Sequence, residues 1–197
     1  MKKISKTYLL NNKEFFLSEM IKGKIFVYPT DTIYGIGGIA TLDRTVKKIR
    51  DIKSRDSKPF SIIAPSKKWI NDNFSIEENN IYLDKLPGPY TLILNYRNLD
   101  KENNNNIVSK ETAKSLTSLG VRIPNHWISD LIQELNIPFI TTSLNISGEP
   151  PYKKLNNLDK KIEEKVDYII DEGELNSNPS TIIDLRDNNI KEIKRNK

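Results

Sequence analysis

Residues 24–59 decide the fold of this chain, and they read KIFVYPTDTIYGIGGIATLDRTVKKIRDIKSRDSKP. The segment opens with a short apolar run, Ile25 to Tyr28, which favours a buried strand. Pro29 ends that strand because proline cannot donate a ladder hydrogen bond. Residues 30–38 combine hydroxyl side chains with glycines, so hydroxyl and backbone groups can approach a ligand closely. The pattern is typical of a ligand-binding turn that follows a strand.

A helix is predicted after this turn, with cations at its C-terminal end. Asp43 is placed to cap its N-terminus. Apolar residues recur on one face at helical spacing: Val46, Ile49 and Ile52. Three cations precede Pro59: Lys53, Arg55 and Lys58. Such a cluster can converge on phosphate oxygens, but cations also complement the dipole of a solvated helix end, and on spacing alone the second interpretation is stronger.

The composition excludes several classes of protein. At 197 residues the chain can bury a substantial core, and we expect one domain over residues 1–197. It contains no cysteine, which excludes disulfides, thiolate metal sites and thiol nucleophiles. A single histidine argues against a zinc site. No apolar run approaches the roughly 18 residues of a membrane span, so we expect a cytoplasmic protein with no membrane partner.

The net charge of +5 would suit a nucleic acid or a polyphosphate ligand. However, lysine and asparagine are abundant along the whole chain, and residues 103–106 are four consecutive asparagines. This is typical of a general compositional bias more than of one focused basic face. The net charge by itself is therefore only weak support for nucleic-acid binding.

The rest of the chain alternates strands with helices. Strands are predicted at residues 60–64, 90–96, 120–123, 138–142, 168–170, 181–185 and 190–193. Helices are predicted at residues 13–21, 81–86, 128–135 and 155–166, with Ser66 capping a further helical turn. Residues 71–80 and 98–106 are predicted as polar loops. The alternation predicts an α/β or α+β fold, a twisted sheet with helices on its faces.

Four further features carry possible chemistry. TTSLNISG, residues 141–148, places hydroxyl and amide side chains at a strand end, where they either bind a ligand or form tight turns. Arg122 lies in an apolar strand and needs an anionic partner, either a structural carboxylate or a substrate carboxylate. His126 has the chemistry of a general base, but a capping or packing role is favoured. For Asp31, a role in forming the turn is favoured over a role in holding a metal-bound water.

Six motifs occur in the order of a known family: PTDTIYGIGG, KSRDSKP, LPGPYTLIL, LGVRIP, TTSLNISGEPP and PSTIID. They span residues 24–184, and several ordered motifs are far more specific than one. The chain therefore resembles the YrdC-like family, the L-threonylcarbamoyladenylate synthases. The resemblance implies an α/β (α+β) fold in which a twisted mixed sheet, with helices on its faces, surrounds a concave basic cavity. It also implies the single-domain form of the family.

The resemblance further implies a nucleotidyltransferase that uses ATP, L-threonine and bicarbonate or CO2. The threonine amine would capture CO2 as a carbamate, which attacks the α-phosphorus and releases pyrophosphate. The product, threonylcarbamoyl-AMP, would pass to a tRNA threonylcarbamoyl transferase for N6-threonylcarbamoyladenosine modification of tRNA. Such chemistry needs positioning and charge neutralisation more than a protein nucleophile. Mg2+ is expected on the ATP phosphates, without a metal site built from protein carboxylates.

The residues that match the family motifs divide into two groups. The ATP group is Lys53, Arg55, Lys58, Ser118, Ser143, Asn145 and Arg195, of which Lys53 and Arg55 are also the expected catalytic residues. The threonine group is Thr32, Arg122, Thr141 and Ser180, with Arg122 pairing with the threonine carboxylate. One departure from the family pattern lies at Asp56 and Ser57, where the family has proline after the arginine and one more residue before the lysine. The shorter loop is expected to change the position of Lys58.

Two alternatives come from other classes of protein. The first is a double-stranded RNA or tRNA binding module, which predicts an RNA affinity that falls with salt. The second is a carbamoyl-transfer domain like those within larger hydrogenase-maturation proteins. It is disfavoured because this chain lacks their cysteine-rich zinc modules.

Overall fold

The computed structural model describes residues 2–55, 58–76, 80–97, 107–114, 117–187 and 189–195. Within these ranges the strands are β1 (Lys2–Ile4), β2 (Phe26–Tyr28), β3 (Gly35–Gly37), β4 (Ser61–Ile63), β5 (Phe74–Ser75), β6 (Tyr90–Tyr96), β7 (Ser118–Arg122), β8 (Phe139–Ser143), β9 (Tyr168–Ile170), β10 (Thr181–Asp184) and β11 (Lys191–Ile193). The helices are α1 (Lys6–Asn11), α2 (Lys13–Ile21), α3 (Asp43–Lys53), α4 (Lys67–Asn73), α5 (Lys110–Ala113), α6 (Ile128–Leu135) and α7 (Lys160–Glu163). A 3-10 helix covers Asn80–Lys85.

The described strands form one mixed sheet in the order β1-β9-β2-β3-β8-β4-β7-β6-β10-β11, with β5 added beside β6. Parallel pairs such as β4 with β7 alternate with antiparallel pairs such as β4 with β8. The prediction of a mixed sheet with helices on its faces is confirmed. No helix within the described ranges is long and apolar enough to cross a membrane.

Helices cover both faces of the sheet, which explains why its central strands are apolar without alternation. Ile25 and Val27 pack with the α3 residues Val46, Ile49 and Ile52 on one face. Phe26 and Tyr28 point to the other face, where they pack in one cluster with apolar residues of α2 and α6. Each strand residue therefore buries its side chain whichever way it points. This double burial anchors the polar turn that follows β2.

The sheet is strongly curved, as its central cavity shows. Residues from β3 and from β10 line the same cavity of about 190 Å³, although five strand spacings separate these two strands in the sheet order. In a flat sheet that separation would be about 24 Å, at about 4.8 Å per strand. The intervening strands must therefore bend around the cavity, which is the concave arrangement expected for the family.

Several predicted elements match the structure, and α2, α6, β6 and β9 have the predicted bounds. Three details were wrong. Asp43 is the first residue of α3 and not its cap, because Leu42 occupies the cap position and the Asp43 carboxylate accepts a hydrogen bond from the Ser109 hydroxyl. Residues 71–75 are not loop, since α4 continues to Asn73 and β5 follows. The predicted loop at residues 98–106 lies outside the described residues.

The third error concerns the charged segment predicted as a helix over residues 155–166, of which only Lys160–Glu163 is α-helical. The Asp159 carboxylate accepts a hydrogen bond from the backbone N–H of Lys161 at 2.7 Å, so the helix starts there. Leu155, Leu158 and Ile162 are nevertheless buried. Their apolar spacing reflects packing under the sheet and not a continuous helix.

Gly37 allows β3 to approach β8 closely. A Cβ atom at this position would lie 1.9 Å from the Ile140 carbonyl oxygen, a backbone atom that also accepts a hydrogen bond from the Tyr28 hydroxyl at 3.0 Å. The hairpin formed by β2 and β3 therefore depends on the missing side chain.

We expect Gly37→Ala to lower the free energy of unfolding by about 3 kcal/mol, because the added methyl group must displace backbone. The matched control is Gly148→Ala, where a Cβ meets nothing within 4 Å and only the φ of +93° is strained. That control should lose about 1–2 kcal/mol. Urea denaturation of both variants measures the difference, and equal losses would show that the close approach of β3 to β8 contributes little.

Candidate functional site

A cavity of about 190 Å³ lies in the bend of the sheet, where β3, β4, β6, β7, β8 and β10 meet. Its walls carry hydroxyl groups and cations, and no carboxylate is among the described lining residues. The lining residues are Thr30, Thr32, Ile33, Tyr34, Gly35, Arg55, Ser61, Thr91, Arg122, Thr141, Thr142, Ser143, Ser180, Ile182 and Arg195. A cavity of this size suits a ligand smaller than a drug-sized molecule, and its walls favour an anion.

The turn after β2 is shaped by Thr30. Its hydroxyl oxygen accepts hydrogen bonds from the backbone N–H groups of Thr32 and Ile33, at 3.1 Å and 3.2 Å. The hydroxyl of Thr30 also lies 3.0 Å from that of Thr32. Thr30 thus folds the turn locally, as threonine commonly does, and thereby fixes Thr32 on the cavity wall.

Arg122 at the end of β7 meets the structural carboxylate of Asp31, which comes from the same turn. The guanidinium Nη2 lies 2.5 Å from Asp31 Oδ1, and both side chains are about nine-tenths buried, with 7% and 10% of their surface exposed. Asp31 Oδ2 accepts a second hydrogen bond from the backbone N–H of Asn125 at 2.9 Å. Asp31 is therefore neither a simple turn residue nor a metal ligand.

The pair leaves part of the Arg122 guanidinium available. Nη1 donates to the Thr32 hydroxyl at 3.3 Å, whereas buried Nε has no hydrogen-bond partner among the described residues. Burial lowers the pKa of Arg122, and the Asp31 carboxylate offsets part of that shift. Since arginine stays protonated in proteins, the cavity wall holds a buried guanidinium whose Nε hydrogen bond is unsatisfied.

Arg55 supplies a second, half-buried cation on the same cavity. Its Nη2 donates to the Pro59 carbonyl at 2.7 Å and its guanidinium lies 5.1 Å from the centre of the Phe60 ring. Its buried Nε also finds no partner within the described ranges. Burial lowers the pKa of Arg55, and neighbouring Arg50 lowers it further. The Pro59 carbonyl and the Phe60 ring therefore hold the Arg55 side chain in place on the cavity wall.

Arg195 closes the cavity from the β10 side. Its Nε donates to the Ser180 carbonyl at 2.8 Å and its Nη2 to the Ser180 hydroxyl at 2.6 Å. The Ser180 hydroxyl in turn lies 2.7 Å from the Thr91 hydroxyl on β6. Burial lowers the pKa of Arg195, and repulsion from Arg122 adds to this shift. The two arginines thus raise the positive potential of the cavity together.

Lys53 supports the cavity wall from behind. Its side chain is 2% exposed, and its ammonium group donates to the Ser143 carbonyl, to the Asn145 carbonyl and to Asn145 Oδ1, at 2.5 Å, 2.9 Å and 2.8 Å. The Ser143 hydroxyl donates to the same Asn145 oxygen at 2.6 Å. The C-terminal end of α3 is thereby fastened to the end of β8. Burial lowers the pKa of Lys53 to about 7, with a further contribution from Arg55.

The structure brings together most of the residues singled out from the sequence. Those on the cavity wall are Thr32, Arg55, Arg122, Thr141, Ser143, Ser180 and Arg195. Lys53 and Asn145 lie behind the wall, and Lys58 is exposed and does not line the cavity. Asp56 and Ser57, the short spacing in the basic motif, lie outside the described residues. Direct ATP contacts by Lys53, Lys58 and Asn145 remain predictions.

Ser118 lines a neighbouring cavity of about 160 Å³, which shares the wall residues Ser61, Thr91 and Ile182 with the central one. Its walls include the Phe60 ring and Gly120, and Arg186 lies at its edge. The two cavities together provide a cationic part and a more apolar part of one continuous region.

Two polar lining residues, Ser61 and Thr91, were missed from the sequence, whereas Tyr34 belongs to the predicted ligand-binding turn. Ser61 and Thr91 are single polar residues at the start of apolar strands. That position is the feature of the sequence that could have identified them. Tyr34 is fully buried, its hydroxyl donates to the Gly173 carbonyl at 2.7 Å, and burial raises the pKa of this hydroxyl to about 12. It therefore has a structural role beside the cavity.

His126 lies away from the central cavity, which argues against a general base there. Its Nε2 is 3.4 Å from a carboxylate oxygen of Glu172, and burial lowers the pKa of the ring. Within the described part of the chain, no group of three or more histidine, aspartate or glutamate residues could hold a metal ion.

The chain matches the family model Sua5_yciO_yrdC, described as "Telomere recombination", over residues 18–196. A relative from Methanocaldococcus jannaschii, named as a threonylcarbamoyl-AMP synthase, is 38% identical over 203 residues. That match covers 98% of this chain and 92% of the relative.

Solved structures share the fold. P. abyssi Sua5 in complex with L-threonine has a TM-score of 0.76 and 27% identity, over 90% of this chain and 52% of that one. The chain thus spans about half the length of that protein. E. coli YciO has a TM-score of 0.78 over 98% of this chain and 92% of that one, and at 23% identity it supports the fold alone.

The buried ammonium of Lys53 should make stability depend on pH. Between pH 7 and 9 the unfolded chain keeps Lys53 protonated, at its ordinary pKa of 10.5, while the folded chain releases the proton near pH 7. The unfolded state then binds more protons, so stability rises with pH by about 2 kcal/mol over this window. Lys53→Met should lack this rise.

Urea denaturation of wild type and Lys53→Met at pH 7 and pH 9 measures the difference. Lys53→Met should also be less stable than wild type at pH 9, because the buried acceptors around the Lys53 nitrogen lose a hydrogen-bond donor. A parallel pH dependence in both proteins would show that Lys53 keeps an ordinary pKa in the folded state. Exposed Lys68→Met is the matched control and should follow wild type.

Proposed function

Because the chain belongs to the Sua5/YciO/YrdC family, we propose that it is a threonylcarbamoyl-AMP synthase. In this role it is a nucleotidyltransferase that joins L-threonine, bicarbonate or CO2, and the AMP part of ATP for tRNA modification. One observation carries the proposal: Arg55, Arg122 and Arg195 line the same hydroxyl-rich cavity, which has no carboxylate among its described lining residues. Two anionic groups, a carboxylate and a phosphate, would be the matching partners for these guanidinium groups.

We place the threonine carboxylate at Arg122. The guanidinium of this residue, which lines the cavity, would pair with it, while Asp31 holds the guanidinium in a fixed orientation. The hydroxyls of Thr32, Thr141 and Ser180 surround the same space and match the polar atoms of an amino acid. A complex of P. abyssi Sua5 with L-threonine supports this assignment by relationship.

We place the ATP phosphates at Arg55, Arg195 and Ser143, which lie on the same cavity. The nucleoside would enter the neighbouring cavity that contains Phe60, Gly120 and Ser118. Lys53 and Asn145 would act through Ser143, whose carbonyl and hydroxyl they hold. Lys58 is exposed, so a phosphate contact from it would require a change of position.

The reaction follows from these placements. The threonine nitrogen forms a bond to the carbon of CO2 and loses a proton to solvent, which gives a carbamate. A carbamate oxygen then attacks the α-phosphorus, and the bond from that phosphorus to the bridging oxygen breaks as pyrophosphate leaves. Arg55 and Arg195 neutralise the charge on the phosphates, and the fixed carboxylate site on Arg122 aligns the attack.

We propose that Mg2+ arrives with ATP. Its preferred ligands are oxygens, no carboxylate is among the described lining residues, and Asp31 beside the cavity is already paired with Arg122. The phosphate oxygens are therefore the available ligands, and Mg2+ would neutralise the charge of the departing pyrophosphate.

The product is an activated intermediate, so we propose that a tRNA threonylcarbamoyl transferase consumes it in the cytoplasm. Binding of RNA by this chain itself receives less support. Arg55, Arg122 and Arg195 face a cavity of about 190 Å³, which is too small for a nucleic-acid duplex.

The proposal requires pyrophosphate release that depends on threonine. With ATP, bicarbonate and Mg2+, we expect Arg122→Ala to raise the threonine concentration for half-maximal release by about 100-fold, or about 3 kcal/mol. Arg122→Lys should retain the ion pair with Asp31 but lose the two-donor geometry of the guanidinium. Its threonine requirement should lie between those of wild type and Arg122→Ala. Arg55→Ala should raise mainly the ATP requirement. The control is Arg44→Ala, at an exposed arginine that bonds to the Lys22 carbonyl.

Two results would contradict the proposal. Absence of threonine-dependent pyrophosphate from wild-type protein would refute the activity. Equal changes in the threonine and ATP requirements for both arginine variants would refute the division of the cavity into two subsites.

The source of Mg2+ is tested by removing it. Treatment with EDTA followed by desalting should leave a folded protein that is inactive until Mg2+ is added, and the Mg2+ needed should increase with the ATP concentration. Activity that survives this treatment, or metal that remains with the protein by elemental analysis, would show a resident metal site instead.

A further inference from the structure

Arg50 is a buried arginine of α3 that is not among the described residues lining either the central or the neighbouring cavity. It is 4% exposed and lies one helical turn after Val46 on the buried face of the helix. Burial of an arginine is costly unless acceptors surround its guanidinium group. The acceptors that Arg50 uses therefore show what this residue holds in place.

These acceptors are backbone carbonyls from two separate segments of the chain. Nε and Nη2 donate to the Glu111 carbonyl in α5, at 3.2 Å and 2.5 Å, and the Glu111 carboxylate lies 3.9 Å from Nε. Nη1 donates to the carbonyls of Arg55 and Lys58, at 3.0 Å and 2.9 Å. One guanidinium thus fastens both Arg55 and Lys58, the last two cations of the basic motif, to α5.

Arg50 also packs on the same aromatic ring as Arg55. The two guanidinium groups lie 4.5 Å and 5.1 Å from the centre of the Phe60 ring, respectively. The backbone N–H of Arg55 donates to the Arg50 carbonyl at 3.1 Å. Arg55 lines the central cavity and Phe60 the neighbouring one. These contacts of Arg50 lead to the part of the site where the ATP phosphates and the nucleoside are placed.

A lysine at this position could not reproduce these contacts. A guanidinium is planar and donates in fixed directions, whereas an ammonium is a point charge on a flexible stem. Arg50 uses these directions to reach the Glu111 carbonyl with one side of the group and the carbonyls of Arg55 and Lys58 with Nη1. The geometry of the guanidinium therefore matters here as well as its charge.

We propose that Arg50 is a positioning residue for ATP, which fixes Arg55 and the Phe60 wall without touching the nucleotide itself. This inference rests on the proposed function, because that function places the phosphates at Arg55. Threonine is placed at Arg122, on β7, to which none of the hydrogen bonds named here leads. A change at Arg50 should therefore alter the use of ATP and leave the use of threonine intact.

Arg50→Lys tests this role in the pyrophosphate assay. The ATP concentration for half-maximal release should rise about tenfold, because Arg55 loses its fixed orientation, and the threonine requirement should stay within about twofold of wild type. Arg50→Gln should raise the ATP requirement at least as much. Arg44→Lys, at an exposed arginine of the same helix, is the matched control and should change neither requirement. Equal rises in both requirements would overturn the proposal.

A double variant shows whether Arg50 acts through Arg55. In the Arg55→Ala background, Arg50→Lys should raise the ATP requirement by no more than about twofold, because the side chain that it positions is absent. A further rise as large as that in the wild-type background would show that the two residues act independently, which contradicts a positioning role.

NMR of the arginine Nε–H signals tests the inference without turnover. In uniformly 15N-labelled full-length protein, Arg50→Lys should shift the Arg55 signal in the absence of ligand and leave the Arg122 signal in place. An unchanged Arg55 signal would refute the proposal. These signals also report ATP binding when no product forms, so failure of the proposed activity and failure of this inference are distinguishable.

Titration of the wild-type protein with ATP needs no variant. The Arg55 Nε–H signal should shift and saturate, and the Arg50 signal should shift less because it has no contact with the nucleotide. A shift of the Arg50 signal at least as large as that of Arg55 would indicate direct contact and overturn the positioning role.

Discussion

The buried ion pair between Arg122 and Asp31 is the interaction on which the site depends. It joins the end of β7 to the turn after β2 across 91 residues of sequence. A buried pair of this kind costs desolvation and is weak evidence for stability. Its value is geometric: Asp31 fixes the guanidinium, and the Thr32 hydroxyl accepts a hydrogen bond from Nη1, so that Arg122 keeps one orientation on the cavity wall. Removal of either partner would leave an uncompensated buried charge beside the cavity.

The curvature of the sheet determines what surrounds this pair. Ser180 on one side and Gly35 on the other meet at one cavity only because the strands between them bend. The Lys53 ammonium donates to the Ser143 carbonyl at the end of β8, and the Arg195 guanidinium donates to the Ser180 hydroxyl on the opposite wall. The positive charge of the cavity is thus distributed over a supported wall, which suits chemistry that depends on positioning and charge neutralisation.

The local structure was largely predictable because it follows from short-range patterns. The apolar run before Pro29 and the helical spacing of Val46, Ile49 and Ile52 give β2 and α3. Predictions were wrong where a tertiary contact overrides the local preference, as at Asp43, whose carboxylate bonds to Ser109 instead of capping its helix. Ser61 and Thr91 were missed because a single polar residue in an apolar strand has no distinctive local pattern.

The sequence by itself determined the order of the motifs, the family, the absence of thiol chemistry and most residues of the cavity wall. Only the tertiary structure decided which carboxylate pairs with Arg122, and that the ammonium of Lys53 lies behind the wall while the guanidinium of Arg55 lies on it. The physical reason is the distance along the sequence over which each kind of interaction acts. Periodicity and propensity act over a few residues, whereas the direction of a side chain at a strand end depends on how distant strands curve and pack together.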